Sequence, residues 1–231
     1  LNWSHFIELL SIKNENEFNF YEKLCSTNYW SQRELRRQIK SGLYQRTLLA
    51  NPNDINNLTN LIISKENIYS SAKYILKEPF VLEFFKRKEK FLEKDLEESI
   101  LSHMKQFMLE LGQGFLFMGN QYHLNIENKH YYVDLVFYNK ILNSYVLIEL
   151  KAKPVDHNAI GQINMYLNYF KEHVNQKDDN EPIGIIMCTD KNNIEVEYAL
   201  GGMSNQIFVS KYITHLPKKE DLEKELIKLI K

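Results

Sequence analysis

The chain has 231 residues, 44% hydrophobic and 26% charged, with a formal net charge of −1, enough to bury a core as one large domain or two small ones. So even a balance excludes a globally basic nucleic-acid binder, and any such surface has to be a local patch. Two distant cysteines, Cys25 and Cys188, exclude a disulfide framework and read as reduced, buried thiols.

From the amino terminus, Trp3, Phe6, Ile7 and Leu10 recur at helical spacing. Leu1 opens directly on this pattern, which reads as a fragment of a longer protein. There is no basic-then-apolar leader and no apolar run of about eighteen residues, so the cytoplasm is expected and a membrane is not. A second helix is predicted over Glu17–Ser26. A third, Ser31–Ser41, starts on Ser31-Gln-Arg-Glu34, where the serine can accept a backbone donor while Glu34 reaches back. This region is locally basic: Arg33, Arg36, Arg37, Lys40 and Arg46 stand against Glu34 alone. Arg33 with Arg37, and Arg36 with Lys40, are like charges four apart, unfavourable by a few tenths of a kcal/mol unless an anion faces them. A phosphate backbone would serve, and so would an ordinary solvated helix face. Asn51–Lys65 reads as a loop followed by a short helix, and Tyr74–Pro79 as extended chain leading to a boundary near residue 79.

Beyond Pro79, Val81–Lys88 is predicted as a short helix. A longer helix, Glu93–Leu111, has Leu96, Ile100, Met104, Phe107 and Leu111 as its buried stripe. Its first turns carry Glu93, Asp95, Glu97 and Glu98, which the helix dipole favours without any further role. Gly112 and Gly114 end it. Phe115–Gly119 and Gln121–Ile126 then read as the two strands of a hairpin, and Asn128 with Lys129 as the next turn.

The informative stretch is Tyr131–Lys151. Alternation places Tyr132, Asp134, Val136 and Tyr138 on one face of a strand and Tyr131, Val133, Leu135 and Phe137 on the other. After a turn with Asn139, Asn143 and Ser144, a second run puts Glu149 and Lys151 on one face. Carboxylates and an ammonium set into apolar strands cost on the order of several kcal/mol each if left unpaired. An antiparallel pairing of the two runs lets Asp134, Glu149 and Lys151 converge, giving two hard oxygen ligands and one cation, a place for Mg²⁺ and a phosphate.

Downstream, Ala159–His173 is a helix with Ile160, Ile163, Leu167 and Phe170 as its apolar stripe and Gln162 and Tyr166 beside it. Ile183–Cys188 reads as a strand covered on both faces. Glu195–Leu200 is a short helix, Gln206–Val209 a last strand, and a helix follows Pro217. A helix between two strands implies a parallel crossover, hence an α/β sheet of mixed direction. Seven histidines make no HExxH or Cys/His pattern, and neither G-x-S-x-G nor a P-loop occurs.

An aspartate on one strand followed by Glu-x-Lys at the end of the next, VDLVFY then IELK, resembles the PD-(D/E)XK nuclease signature, with Val133 where a proline is usual. The segments LEESI, LELGQGFLFMGNQYHL, GQINMYLNYF, PIGIIMCTD, VEYAL and MSNQIFVSKY, together with WSHFIELL, FYEKL and WSQRELRRQI near the start, resemble the YhcG family of bacterial nucleases. The resemblance implies a restriction-endonuclease-like mixed-sheet core flanked by helices over residues 80–231, preceded by a small, mainly helical DNA-binding region over 1–79. It implies Mg²⁺, or Mn²⁺ in its place, held by Asp134, Glu149, the Leu150 carbonyl and Glu97, with Glu98 as the next candidate for the last position. Lys151 would orient a water and offset charge on the phosphate. The Gln162–Tyr166 pair resembles one in RecB-like nucleases that helps bind DNA or orients the lysine. The expected activity is hydrolysis of DNA phosphodiester bonds. A catalytically inactive nucleic-acid-binding module and an assembly subunit are the alternatives, and a homo-oligomer stays open.

Overall fold

The computed structural model describes residues 1–52, 55–64, 68, 71–86 and 91–230. In chain order its elements are α1 (Trp3–Leu9), α2 (Glu15–Thr27), α3 (Gln32–Lys40), α4 (Leu43–Ala50), α5 (Ile55–Ser64), a 3-10 turn (Ala72–Ile75) and β1 (Phe80–Val81). There follow α6 (Glu93–Ser102), α7 (Met104–Leu111), β2 (Phe115–Ile126), β3 (Lys129–Asn139), β4 (Ser144–Leu150) and α8 (His157–His173), then β5 (Ile183–Cys188), α9 (Asn193–Leu200), β6 (Gln206–Ile213) and α10 (Lys219–Ile230). They form two compact units, Leu1–Val81 with His215–Lys231, and Leu82–Thr214. The sequence divides the chain after residue 79 and keeps the carboxyl-terminal helix with the second part. In the structure α10 joins the first unit, where Lys219 Nζ bonds both carboxylate oxygens of Glu17 at 2.7 and 2.9 Å.

The first unit is helical. Ser31 caps α3, its hydroxyl accepting the Glu34 amide at 3.2 Å, but Glu34 does not reach back as a capping box would. Its carboxylate instead accepts from Gln38 and lies 3.6 Å from Arg37. Tyr74–Pro79 is not extended throughout, because Ala72–Ile75 closes a 3-10 turn. Of the helix expected over residues 81–88, Val81 ends β1 and residues 82–86 are not helical, since the Leu82 amide takes a sheet partner, the Ile213 carbonyl. Residues 87 and 88 lie outside the described residues, as do part of the loop expected after Asn51 and Lys65.

The second unit is built on a sheet in the order β6-β5-β4-β3-β2. β2, β3 and β4 are antiparallel, whereas β4, β5 and β6 are parallel, with α8 as the crossover. What reads as two strands before Ile126 is one long strand, β2, with a register shift between Phe117 and Gly119. The turn into β3 is Glu127–Asn128, both at positive φ (47° and 65°), the backbone that a tight hairpin of matching twist requires. The predicted helix 93–111 is broken at His103. Its imidazole Nδ1 lies 3.0 Å from the Ser99 carbonyl, a local bond that competes with the helical ladder.

α8 buries Ala159, Ile160, Ile163, Tyr166, Leu167 and Phe170 against the sheet. Gly184 permits this approach: a β-carbon there would lie 2.9 Å from Ile163 Cδ1 and 3.0 Å from Leu167 Cδ1. Gly184→Ala is therefore expected to destabilise the second unit by about 1–3 kcal/mol through overpacking. Urea denaturation is the check, and a variant as stable as the parent refutes that close seating. No helix among the described residues is long and apolar enough to cross a membrane.

Candidate active site

The regular alternation expected of β3 breaks once. Tyr131 meets Tyr166 of α8 at 6.3 Å between ring centres, yet Val136, of opposite parity, lies with Val133 in the same core cluster as α8. The offset falls at Asp134. Opposite it in the β2 register, between Asn120↔Leu135 and Tyr122↔Val133, is Gln121, a non-glycine residue at φ 46°. Left-handed backbone of this kind costs on the order of 1–3 kcal/mol and persists only where the surroundings enforce it. On the other side, β3 pairs with β4 up to Leu135↔Ile148, and one step further puts Asp134 opposite Glu149.

Asp134 fills the gap where the ladder ends. Its Oδ2 accepts the Leu150 amide at 2.8 Å and its Oδ1 accepts the Gln121 side-chain amide at 3.1 Å. Burial raises its pKa above the ordinary carboxylate value, and the Leu150 amide and Lys151 only partly offset that. Glu149 is 1% exposed, and burial, then the nearby Asp134 charge, push its pKa up to about 8. Its Oε2 lies 3.4 Å from Lys151 Nζ, and its Oε1 is buried with no hydrogen-bond partner. For Lys151, burial works against the charge, but Glu149, Glu93 and Asp134 outweigh it and its pKa is raised. The backbone of Lys151 is fixed from both sides: its amide donates to the Met187 carbonyl at 2.8 Å, and its carbonyl accepts the Tyr212 hydroxyl at 3.1 Å.

Asp134, Glu149 and Lys151 are thus brought together. Glu97 is held beside them rather than among them: Asn120 donates to its Oε1 at 2.9 Å and Gln121 to its Oε2 at 2.8 Å. Gln121 thereby bridges Glu97 and Asp134. Glu98 turns away, toward Lys94 at 3.8 Å. Among the described residues no three Asp, Glu, His or Cys side chains group closely enough to hold a metal between them, so the expected three-carboxylate set is not assembled. Two carboxylates are the usual protein share of a Mg²⁺ site completed by phosphate and water. The partnerless Oε1 of Glu149 and its repulsion from Asp134 fit a hard cation between these two groups.

Gln162 donates to the Tyr166 hydroxyl at 2.6 Å, but Tyr166 is 1% exposed. A phenol sealed against the sheet cannot meet a nucleic acid, so the expected contact at Tyr166 is corrected to one that orients Gln162. Leu150 is fully buried and supplies its amide to Asp134.

In the first unit, Arg33 and Lys40 are exposed. Arg36 is exposed too but binds Glu8 Oε1 through Nε at 3.1 Å and Nη2 at 2.5 Å. That contact holds the Glu8 carboxyl below its usual value. The anions expected opposite the α3 charges are therefore, for Arg36 and Arg37, carboxylates of the same unit. Arg46 is 0% exposed. Its place as a phosphate ligand is corrected, since the guanidinium is consumed by backbone and serine oxygens.

Sequence reasoning missed Gln121, Asn120, Glu93 and Tyr212. Asparagine and glutamine in a strand carry no distinguishing spacing, and only the neighbouring carboxylates reveal their use.

The YhcG PDDEXK nuclease domain model matches residues 73–227 and the DUF1016 N-terminal domain model residues 1–46. The Escherichia coli (strain K12) protein named "Putative nuclease YhcG" is 38% identical over 225 residues, 97% of this chain and 59% of that protein. The chain thus spans little more than half the length of that relative. A repair endonuclease from Pyrococcus abyssi aligns at 19% identity and TM-score 0.37, over 54% of this chain and 50% of the other. EndoMS in a complex with double-stranded DNA aligns at 14% identity and TM-score 0.37, over 58% and 49%. By the extent of the family match and the identity to its relative, the chain belongs to the YhcG PDDEXK nuclease family.

Proposed function

We propose that the second unit hydrolyses phosphodiester bonds of DNA at the Asp134–Glu149–Lys151 cluster in the presence of Mg²⁺. The observation that carries this reading is the buried, partnerless Oε1 of Glu149 beside a second carboxylate and an ammonium. An apolar core has no use for such a group. Asp134 and Glu149 would hold the ion, with the Leu150 carbonyl lending a further oxygen and Glu97 kept nearby by Gln121. When bound, the ion polarises the phosphate and lowers the pKa of an attacking water. Lys151 keeps its ammonium charged next to the scissile group, orients the water and offsets charge developing on the phosphate oxygens. Gln162, braced by Tyr166, lines the approach. The exposed Arg33 and Lys40 of the first unit would add phosphate contacts, while Arg36 and Arg37 face Glu8 and Glu34. Two free, buried cysteines suit a reducing cytoplasm.

The test is cleavage of plasmid and linear DNA by the purified chain with Mg²⁺, with Mn²⁺ and with EDTA. Cleavage is expected only with a divalent ion, with Asp134→Asn inactive and Lys151→Met slower by about 10²-fold. Equal cleavage by Lys151→Met and the parent refutes the assignment.

A further inference from the structure

We infer that the solvent-facing side of the outer β2–β3 hairpin is a track for a single nucleic-acid strand running into the cluster; this rests on the nuclease reading above. Beyond the Gln121–Asp134 offset, the two faces of the hairpin divide sharply. One packs on α8, with Tyr122 against Phe170 at 5.3 Å and Tyr131 against Tyr166 at 6.3 Å. The other carries Gln121, His123, Asn125, His130 and Tyr132, all exposed.

Three of those five are rings, and they lie side by side on the exposed face of the two strands. His123 Nε2 lies 2.7 Å from His130 Nδ1, a hydrogen bond that sets the two rings edge to edge at 23° between planes, and Tyr132 lies 5.2 Å from His123, tilted by 36°, with 49% of its surface in solvent. The core on the α8 side is complete without them, so their packing among themselves adds little to the fold. Exposed aromatic faces in sequence along a strand are what successive unpaired bases stack on.

The remaining chemistry agrees. None of the five side chains is acidic, and the Asn125 amide and the Tyr132 hydroxyl offer donors to phosphate and base edges, while Gln121 donates to Glu97 and Asp134 at the site end of the track. The track is continuous with the site: Tyr132 precedes Asp134 by two residues, and His123 follows Gln121 by two. At about 3.3 Å per residue the rings extend roughly 13 Å from Asp134 to His130. Bases inside a duplex have both faces covered, so a strand must be single or frayed to use these rings.

The experiment is fluorescence anisotropy of a labelled single-stranded oligodeoxynucleotide and its duplex with the full chain in EDTA, where nothing is cut. The single strand should bind more tightly than the duplex. Tyr132→Ala and His123→Ala should each weaken its binding roughly five- to a hundredfold, the range for one stacked base. Tyr132→Phe, which keeps the ring, should stay within about twofold, and a 2-aminopurine base in the strand should lose its quenching in Tyr132→Ala. Unchanged binding by both alanine variants overturns the track, as does an equal loss on duplex. The two readings separate cleanly: ring-dependent binding without Mg²⁺-dependent cleavage leaves the track standing and sinks the nuclease proposal. Cleavage with ring-independent binding does the reverse.

Discussion

Glu149→Gln is expected to give a protein that is more stable than the parent and cuts about 10³-fold more slowly. The stability gain follows from burial. In the folded chain the Glu149 carboxyl holds its proton up to about pH 8 against an ordinary value of 4.5, whereas the unfolded chain releases it near 4.5. Between those values the folded state binds more protons, so this group's contribution to stability is fully present below pH 4.5 and declines as pH rises toward 8. The decline is about 1.4 kcal/mol for each pH step, on the order of 2–3 kcal/mol by pH 7 once the lost Lys151 contact is set against it. Glutamine resembles the protonated form and escapes the decline. For a chain of this size each kcal/mol moves a melting midpoint by about 2–4 °C. The gain should therefore be near zero at pH 4.5, grow to pH 8 and level off. A difference that is constant with pH shows that Glu149 is not the group responsible. The loss of cleavage has the same origin, since the buried oxygen that is costly to ionise is the one a cation needs. Mg²⁺ should raise the parent's melting midpoint, releasing a proton below pH 8, and leave that of Glu149→Gln unmoved.

The residues legible in the sequence were those whose chemistry clashes with their surroundings. Asp134 in VDLVFY and Glu149 in IELK stand out because a carboxylate on an apolar strand demands a partner, and the structure brings them together just past the Leu135↔Ile148 pair, with Lys151 Nζ 3.4 Å from Glu149. The helix and strand order was legible for the same reason as in any amphipathic chain, through the stripes of α8 and the unbroken apolar run of β5. Position along a strand was harder. Alternation assumes a regular backbone, and the face offset at Asp134 depends on Gln121 adopting φ 46°, which nothing in a glutamine announces. The break at His103 depends likewise on one imidazole bonding back to Ser99. Charge runs misled in their own way. Arg36, Arg37 and Arg46 look alike in a basic stretch, yet one is an exposed ion pair, one is half-buried against Glu34, and one is sealed inside. Hydropathy patterning has no means of telling a buried guanidinium from a solvated one, because the oxygens that satisfy it are mostly backbone.

Arg46→Ala should destabilise the first unit by about 3–5 kcal/mol, among the largest effects a single substitution there can have. The guanidinium of Arg46, on α4, reaches acceptors in different directions. Its Nε donates to the Ser41 carbonyl at 2.9 Å, its Nη2 to the Ser41 hydroxyl at 2.9 Å, and its Nη1 to the Pro79 carbonyl at 3.0 Å. It thus ties the end of α3 to the chain around Pro79. Truncation leaves these oxygens buried without a donor and opens a cavity the size of a long side chain. Arg46→Lys keeps the charge but not the planar fork, and a single ammonium cannot serve these divergent acceptors, so it should recover less than half of the loss. Both tryptophans, Trp3 and Trp30, lie in the first unit, so their fluorescence in urea follows this unit. The alanine variant also distinguishes scaffold from nucleic-acid contact. Where the protein remains folded, Arg46→Ala should bind DNA with an unchanged salt dependence, whereas Arg33→Ala and Lys40→Ala should each lower the salt slope by about one. A salt slope lowered by about one in Arg46→Ala, with no loss of stability, would return Arg46 to the surface.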